Sequence, residues 1–378
     1  MTGKERIKAI FNRQSVDRPG FWLGNPADET KDMYYAHFGI QTAPEYFATG
    51  RAELDLALAT HSDLMWITPE YDRDAWHHPE GKPIWDVLGG KKRVSLSQPG
   101  ALAECESVRE VEAFDWPNPD YLDFRPTLQK IEAAKATGLA VFGGMWCPFF
   151  HLVADLFGME NYFIKMYTHP AVVEAVTEHI LHFYLEANKR CFDAMASELD
   201  GAFFGNDFGS QQDLLISPAA FKKFVLPSFK KLIDQMKSYG LRVVLHSCGS
   251  IVRVIPLLID AGIDALHPIQ AKAAGMEAEN LSRQFNGAVI FIGGVDTQEL
   301  LPFGTPADVR QDVRRLRRLF GEHCIVSPSH EALLPNVSIE NVLAMSEEAR
   351  AIRTSSSEQS ASAPDQPPTR EPGLSGGL

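Results

Sequence analysis

Eight short apolar runs, near residues 20, 63, 140, 200, 242, 264, 289 and 324, alternate with segments of helical periodicity along the 378-residue chain. The runs are apolar almost throughout, as in strands buried on both faces, with no alternation of polar and apolar positions. Eight β and α units in that order argue for one closed, parallel (β/α)8 TIM barrel of the α/β class, not an open sheet. No Gly-x-Gly-x-x-Gly opens a helix after the first run, which disfavours a dinucleotide fold.

Local signals mark several helices. Thr2 and Glu5 form a capping box, Ser217-Pro218 supplies a cap and an N1 proline, and Thr305 and Ser338 cap two late helices. Further helices are expected from about Pro126 to Thr137 and from His169 to Ala196. Residues 70–120 read as an insertion with an antiparallel hairpin around Ile84 to Val94. From Thr354 onward the chain is Ser, Pro, Gly and polar residues, so residues 1–353 form the barrel domain and 354–378 a disordered tail.

With 45% hydrophobic residues there is ample material for a core, and no run approaches the roughly 18 apolar residues of a membrane span. A net charge of −13 offers no basic face to nucleic acid. The five scattered cysteines fit reduced thiols, and the N-terminus reads as a polar helix, so the expected address is cytoplasmic, without a membrane partner, as monomer or homodimer.

Chemistry in such a barrel sits at the carboxyl ends of the strands. Those ends carry Asn25 and Asp28, Asp63 with Glu70, Trp146 with His151, Asn206, Asp207 and Gln211, His246 and Cys248, His267 with Gln270, Asp296, and His330 with Glu331. The stretch Leu241 to Ser250, LRVVLHSCGS, stands out. It places an imidazole and a thiol one residue apart where a buried strand ends, so both can point to one side. Both are good zinc ligands, and His330 is a third that could converge on them. Ser250 can cap the helix that follows. Plainer readings stand beside these: His267 before Pro268 can bond a neighbouring loop, Asp296 can cap a turn or helix, and Asp63 can cap its own strand-end turn.

His246-Ser-Cys248-Gly249, Gly293-Gly-Val-Asp-Thr297, Ser327-Pro-Ser-His330 and Gly205-Asn-Asp-Phe-Gly-Ser-Gln211 together resemble the uroporphyrinogen decarboxylase superfamily, over about residues 3 to 352. The resemblance implies a (β/α)8 barrel and offers two branches. Decarboxylases need no metal and are similar at Asp63 and His330, but they carry an arginine-rich loop after the first strand. Here that loop reads Phe21-Trp-Leu-Gly-Asn-Pro-Ala-Asp-Glu and has no arginine to pair with porphyrinogen carboxylates.

The second branch comprises zinc-dependent methyltransferases that work with corrinoid proteins and carry His-x-Cys at the motif found here. The implied zinc ligands are His246, Cys248 and His330, the last standing where that branch commonly has a cysteine. Asp63, Asp207 and His330 are then the candidate catalytic residues. Asn25, Trp146, Asn206, Gln211 and Asp296 are candidates for substrate binding, and Asp207, Asp296 and Glu331 for orienting the histidines. Trp22, Trp66 and Trp146 can line an aromatic pocket. Cobalamin is expected on a partner protein, and the substrate is a small thiol or a methoxylated compound. A metal-free carboxy-lyase of porphyrin biosynthesis is the alternative. A binding protein on an inactive barrel is disfavoured by the dense polar rim.

Overall fold

The computed structural model describes residues 1–95 and 98–352; the expected tail lies outside them. Eight parallel strands stand in the order β1-β8-β7-β6-β5-β4-β3-β2. They are β1 (Gly20–Phe21), β2 (Leu64–Trp66), β3 (Ala140–Gly143), β4 (Gly201–Gly205), β5 (Arg242–His246), β6 (Ala265–Ile269), β7 (Ile290–Val295) and β8 (Ile325–Pro328). The sheet curls into the barrel that the strand count implies. β1 and β2 share no ladder, so the seam between them is closed by single bonds: Asp63 N–H donates to the Phe21 carbonyl at 2.7 Å and Leu23 N–H to Ser62 Oγ at 3.1 Å.

An inner core of Trp22, Leu64, Phe142, Phe203, Val244, Ile290, Ile292 and Ile325 fills the barrel, and a larger outer core joins the sheet to the helices. The capping box at Thr2 opens the helix Gly3–Phe11, and the long helix runs Pro170–Met195. Ser217, Thr305 and Ser338 cap as the sequence suggests. Ser250 does not: the next helix starts only at Ile255, and the Ser250 hydroxyl donates to the Ala274 carbonyl. Among the described residues no helix is long and apolar enough to cross a membrane.

The expected hairpin at Ile84 to Val94 is absent, since no strand forms there. Gly89 and Gly90 do adopt positive φ, at 60° and 77°, but the flanks pack elsewhere. Trp85 donates its indole N–H to Tyr184 of the long helix at 3.0 Å, and Val94 is 83% exposed. Tertiary packing on a helix has replaced cross-strand pairing.

Asp63 immediately precedes β2, at the amino end of the barrel. Arg6 donates to Oδ1 at 2.6 Å; Arg18 donates to Oδ2 at 2.7 Å and Oδ1 at 3.0 Å; Phe21 N–H donates to Oδ2 at 2.8 Å. Asp200 and Asp264 repeat the device before β4 and β6, accepting from Val141 N–H and Val243 N–H. Asp63 is therefore corrected from a catalytic to a structural residue, at the end opposite the strand termini where barrel chemistry occurs.

The side chains of Arg6, Arg18 and Asp63 are only 5%, 9% and 4% exposed. Asp63→Asn leaves the Arg18 guanidinium buried without its countercharge and Arg6 with Asp17 alone, and stability should fall by about 3–5 kcal/mol. Urea unfolding measures this; a loss below about 1 kcal/mol, the level of a surface pair, would contradict the assignment.

Candidate active site

β5 delivers the centre of the site. In register, Gly205 lies beside His246 and His246 beside His267, so the ends of β4, β5 and β6 meet at one imidazole. His246 Nε2 is 3.3 Å from Cys248 Sγ and 3.2 Å from Asp207 Oδ1. Its Nδ1 is 3.0 Å from His267 Nδ1 and 3.4 Å from Glu331 Oε2. Cys248 N–H donates to Asp207 Oδ1 at 2.7 Å, which ties the β4 and β5 loops together. Gly249 permits this: its φ is +85°, and a Cβ there would fall 2.2 Å from the Gly209 carbonyl oxygen.

Two sets of potential ligands converge, each with donor atoms within 4.8 Å of one another: Asp207, His246 and Cys248, and His246, His267 and Glu331. Burial works against a charge on His246, but Glu331, Cys248 and Asp207 outweigh it and raise its pKa well above the usual value. Burial would likewise raise Asp207, yet the bond to His246 and the nearby charges of His246 and His151 hold it low. His267 is pushed well below the ordinary range, by burial first and then by His246 and His330, so it is neutral. The arrangement favours one positive charge at its centre. Nitrogen, sulfur and carboxylate oxygen are suitable donors for zinc; as around an ion, His267 Nε2 and Glu331 Oε2 are buried without a hydrogen bond, although Oε2 lies within ion-pair distance of His246.

Below the cluster lies an aromatic floor. Trp146 meets His246 edge-on at 5.2 Å, Trp22 lies 5.0 Å from His267, and Trp66 stands 4.8 Å from Trp146. Phe203 touches all three indoles. A cavity of about 1090 Å³ extends from Trp22 and Trp66 along the β1/β2 seam, lined also by Asn25, Tyr71 and Arg73. Its walls do not include the ligand cluster, and the two tryptophans connect them.

The structure brings Asp207, Trp146, His246 and Cys248, all named from the sequence, to one place. His330 lies beside them but outside both ligand sets: its ring centroid is 6.3 Å from that of His246, its Nδ1 accepts Ala332 N–H, and a hydrogen bond to Cys248 raises its pKa. Asn206 is not free for substrate, because Oδ1 accepts Phe150 N–H and Nδ2 donates to the Cys147 carbonyl. Asp296 accepts N–H bonds from Gln298, Glu299 and Leu300 and serves as a cap. Gln211 is exposed on the β4 loop, where its backbone carbonyl accepts from Ala274 N–H. Asp28 is 96% exposed. Asn25 stays at the mouth, its N–H donating to the Glu331 carbonyl.

The family model for uroporphyrinogen decarboxylase (URO-D) matches residues 94–352. The chain belongs to this family. A relative 26% identical over 319 residues, 82% of this chain and 86% of its own length, is the methylcobamide:CoM methyltransferase MtbA of Methanosarcina mazei. The enzyme of the same name from Methanosarcina acetivorans is 24% identical over 187 residues, about half the length of each chain. A solved methyltransferase from Methanosarcina mazei shares the fold, with a TM-score of 0.64 at 17% identity over 92% of this chain and 98% of that one.

The converging donors should bind one divalent ion per chain. Asp207→Ala, His246→Ala and Cys248→Ser should each abolish uptake, whereas His330→Ala should weaken it by on the order of tenfold, as loss of a neighbouring residue does. Elemental analysis with chelator competition reads both, and undiminished uptake by Cys248→Ser would remove the thiol from the ligand set.

Proposed function

We propose that the chain is a zinc-dependent methyltransferase, moving a methyl group between a small thiol or methoxylated substrate and a corrinoid carried by a separate protein. The observation that carries this reading is the convergence of Asp207, His246 and Cys248 at the carboxyl mouth of the barrel. The likeness to two methylcobamide:CoM methyltransferases supports the reaction class. Zinc held there would lower the pKa of a thiol or draw electron density from an ether oxygen.

The chain's own residues supply the remainder. His246, Cys248 and Asp207 offer Nε2, Sγ and a carboxylate oxygen to one point, and Asp207 also fixes the Cys248 backbone by accepting its N–H. Glu331 balances charge on the Nδ1 side, and His267, neutral and in contact with Nδ1, restricts how the ring can turn. Trp22, Trp66, Trp146 and Phe203 exclude water from beneath, which strengthens every polar interaction above them. The cavity beside Trp22 and Trp66 has room for a substrate body, and its partly apolar wall suits a methoxylated compound as well as a thiol.

The metal-free carboxy-lyase loses its charge stabiliser, because both oxygens of Asp63 are engaged at the far end of the barrel. The loop after β1 also offers no guanidinium to a polycarboxylate.

Two assays on one preparation distinguish the reactions. Methyl transfer to or from cobalamin, followed through the cobalt absorption spectrum, should be present and should fall by roughly a hundredfold in Cys248→Ser. Uroporphyrinogen should be returned unchanged on chromatography; steady formation of coproporphyrinogen would overturn the proposal.

A further inference from the structure

Glu70 reaches the site from the turn Pro69–Tyr71 that follows β2, and it touches neither His246 nor Cys248. Its Oε1 accepts the hydroxyl of Tyr184 at 2.7 Å. Its Oε2 accepts the backbone N–H of Trp146 and that of Cys147, the latter at 3.3 Å. One carboxylate thus holds two successive N–H groups of the turn leaving β3. That turn is strained, since Cys147 sits at φ +54°, a region side-chain-bearing residues enter only when surroundings impose it.

The long helix helps from the other side. Asn188 Oδ1 accepts Met145 N–H at 2.9 Å, and its Nδ2 donates to Cys147 Sγ at 3.2 Å. What the turn presents is the Trp146 indole, edge-on to His246 at 5.2 Å. The ring lies over Gly205, where a Cβ would come within 2.0 Å of it, so its place is tightly defined.

We propose that Glu70 is a positioning residue for the His246 site: ionised, it fixes the Met145–Cys147 turn and so holds the Trp146 indole against the imidazole; protonated, it loosens its hold on that turn. The step from ring placement to turnover rests on the methyltransferase reading above, whereas the coupling of Glu70 to Trp146 does not.

A neutral carboxyl holds the turn less well. A proton on Oε2 opposes the two backbone N–H groups; one on Oε1 turns the Tyr184 hydroxyl into an acceptor and leaves Oε2, without its charge, a weaker partner for both N–H groups. Burial pushes the Glu70 pKa up to about 7, against the lowering effect of its hydrogen bonds to Tyr184, Trp146 and Cys147. Its folded-state value is thus above the unfolded one, so the group favours folding below about pH 4.5, and that contribution is lost as pH rises through about 7. The ionised form is retained at a cost to stability, as a group kept for positioning would be. The titratable groups facing it are Tyr71 on its own turn, Tyr184 on the long helix and Cys147 on the β3 turn. Tyr71 is raised to about 12 and the other two well above their ordinary values, so all three stay neutral through the window.

The test compares the purified full-length protein with Glu70→Gln, Tyr184→Phe and Trp146→Phe by near-ultraviolet circular dichroism between pH 5.5 and 8.5. The difference between wild type and Trp146→Phe isolates the Trp146 signal. It should change with a midpoint at about pH 7, and Glu70→Gln should abolish the change. Tyr184→Phe should move the midpoint upward, because the lost hydrogen bond is one that lowers the Glu70 pKa. Turnover in Glu70→Gln should drop about tenfold in kcat at unchanged KM.

A transition that persists unaltered in Glu70→Gln, or no transition in wild type, overturns the proposal. If Glu70→Gln fails to fold, Tyr184→Phe decides: an upward shift supports the coupling and an unmoved midpoint refutes it. Should wild type lack methyl transfer altogether, the methyltransferase reading fails while the dichroism still decides the role of Glu70.

Discussion

Closure between β1 and β2 depends on Asp63. β1 is two residues long and has a ladder on one side only, with β8. On its other side the Asp63 carboxylate receives Phe21 N–H, and Asp63 N–H binds the Phe21 carbonyl, so one residue does the work of a strand partner. Arg6 and Arg18 make a buried carboxylate tolerable in that place, where an unpaired one would be costly. The residues that follow at the other end inherit the alignment. Trp22 leaves β1 against His267, and β2 leads through Trp66 to Glu70. The seam thus sets both the aromatic floor and the turn beside it.

The two ends of the barrel use the same residue types to opposite effect. At the amino end Asp63, Asp200 and Asp264 each accept a backbone N–H of the neighbouring strand and each face Arg or Lys. Their hydrogen-bonding capacity is consumed, and they tie strands together. At the carboxyl end Asp207 and Glu331 face histidines and a thiol, and buried atoms such as His267 Nε2 and Glu331 Oε2 make no hydrogen bond. Folded proteins rarely leave such groups unsatisfied without use. At the amino end a carboxylate saturated by strand backbone and a cation reads as structure, and at the carboxyl end one with an oxygen left free reads as function, although sequence shows only an acidic residue in each place.

That distinction explains how far the sequence could be read. Strand count, barrel class and the His246/Cys248 pair depend on local patterning, and each was visible. Asp63 was not, because its partners Arg6 and Arg18 lie 57 and 45 residues away and only closure brings them near. A clue was nevertheless present: Asp63, Asp200 and Asp264 each stand immediately before a run that becomes an even-numbered strand. Asn206 and Asp296 looked like substrate contacts because polar residues at strand ends often are, yet their bonds go to neighbouring backbone. His267 had a plain reading as a loop partner, and it instead abuts His246 through the β5/β6 register.

Electrostatics then limits what the mouth can hold. Asp207, Glu331 and Cys248 crowd one buried imidazole and favour a proton on it, and Cys248 and Glu331 raise the neighbouring His330 as well. A divalent cation at the same place would need the imidazole neutral and the thiol ionised, so binding must release protons and must draw on the attraction that now raises the His246 pKa. The same acidic groups would repel carboxylates brought close to the imidazole, and the guanidinium groups of Arg6 and Arg18 are committed at the far end. Affinity for a cation at the cluster and repulsion of carboxylates beside it would therefore be two consequences of one charge distribution.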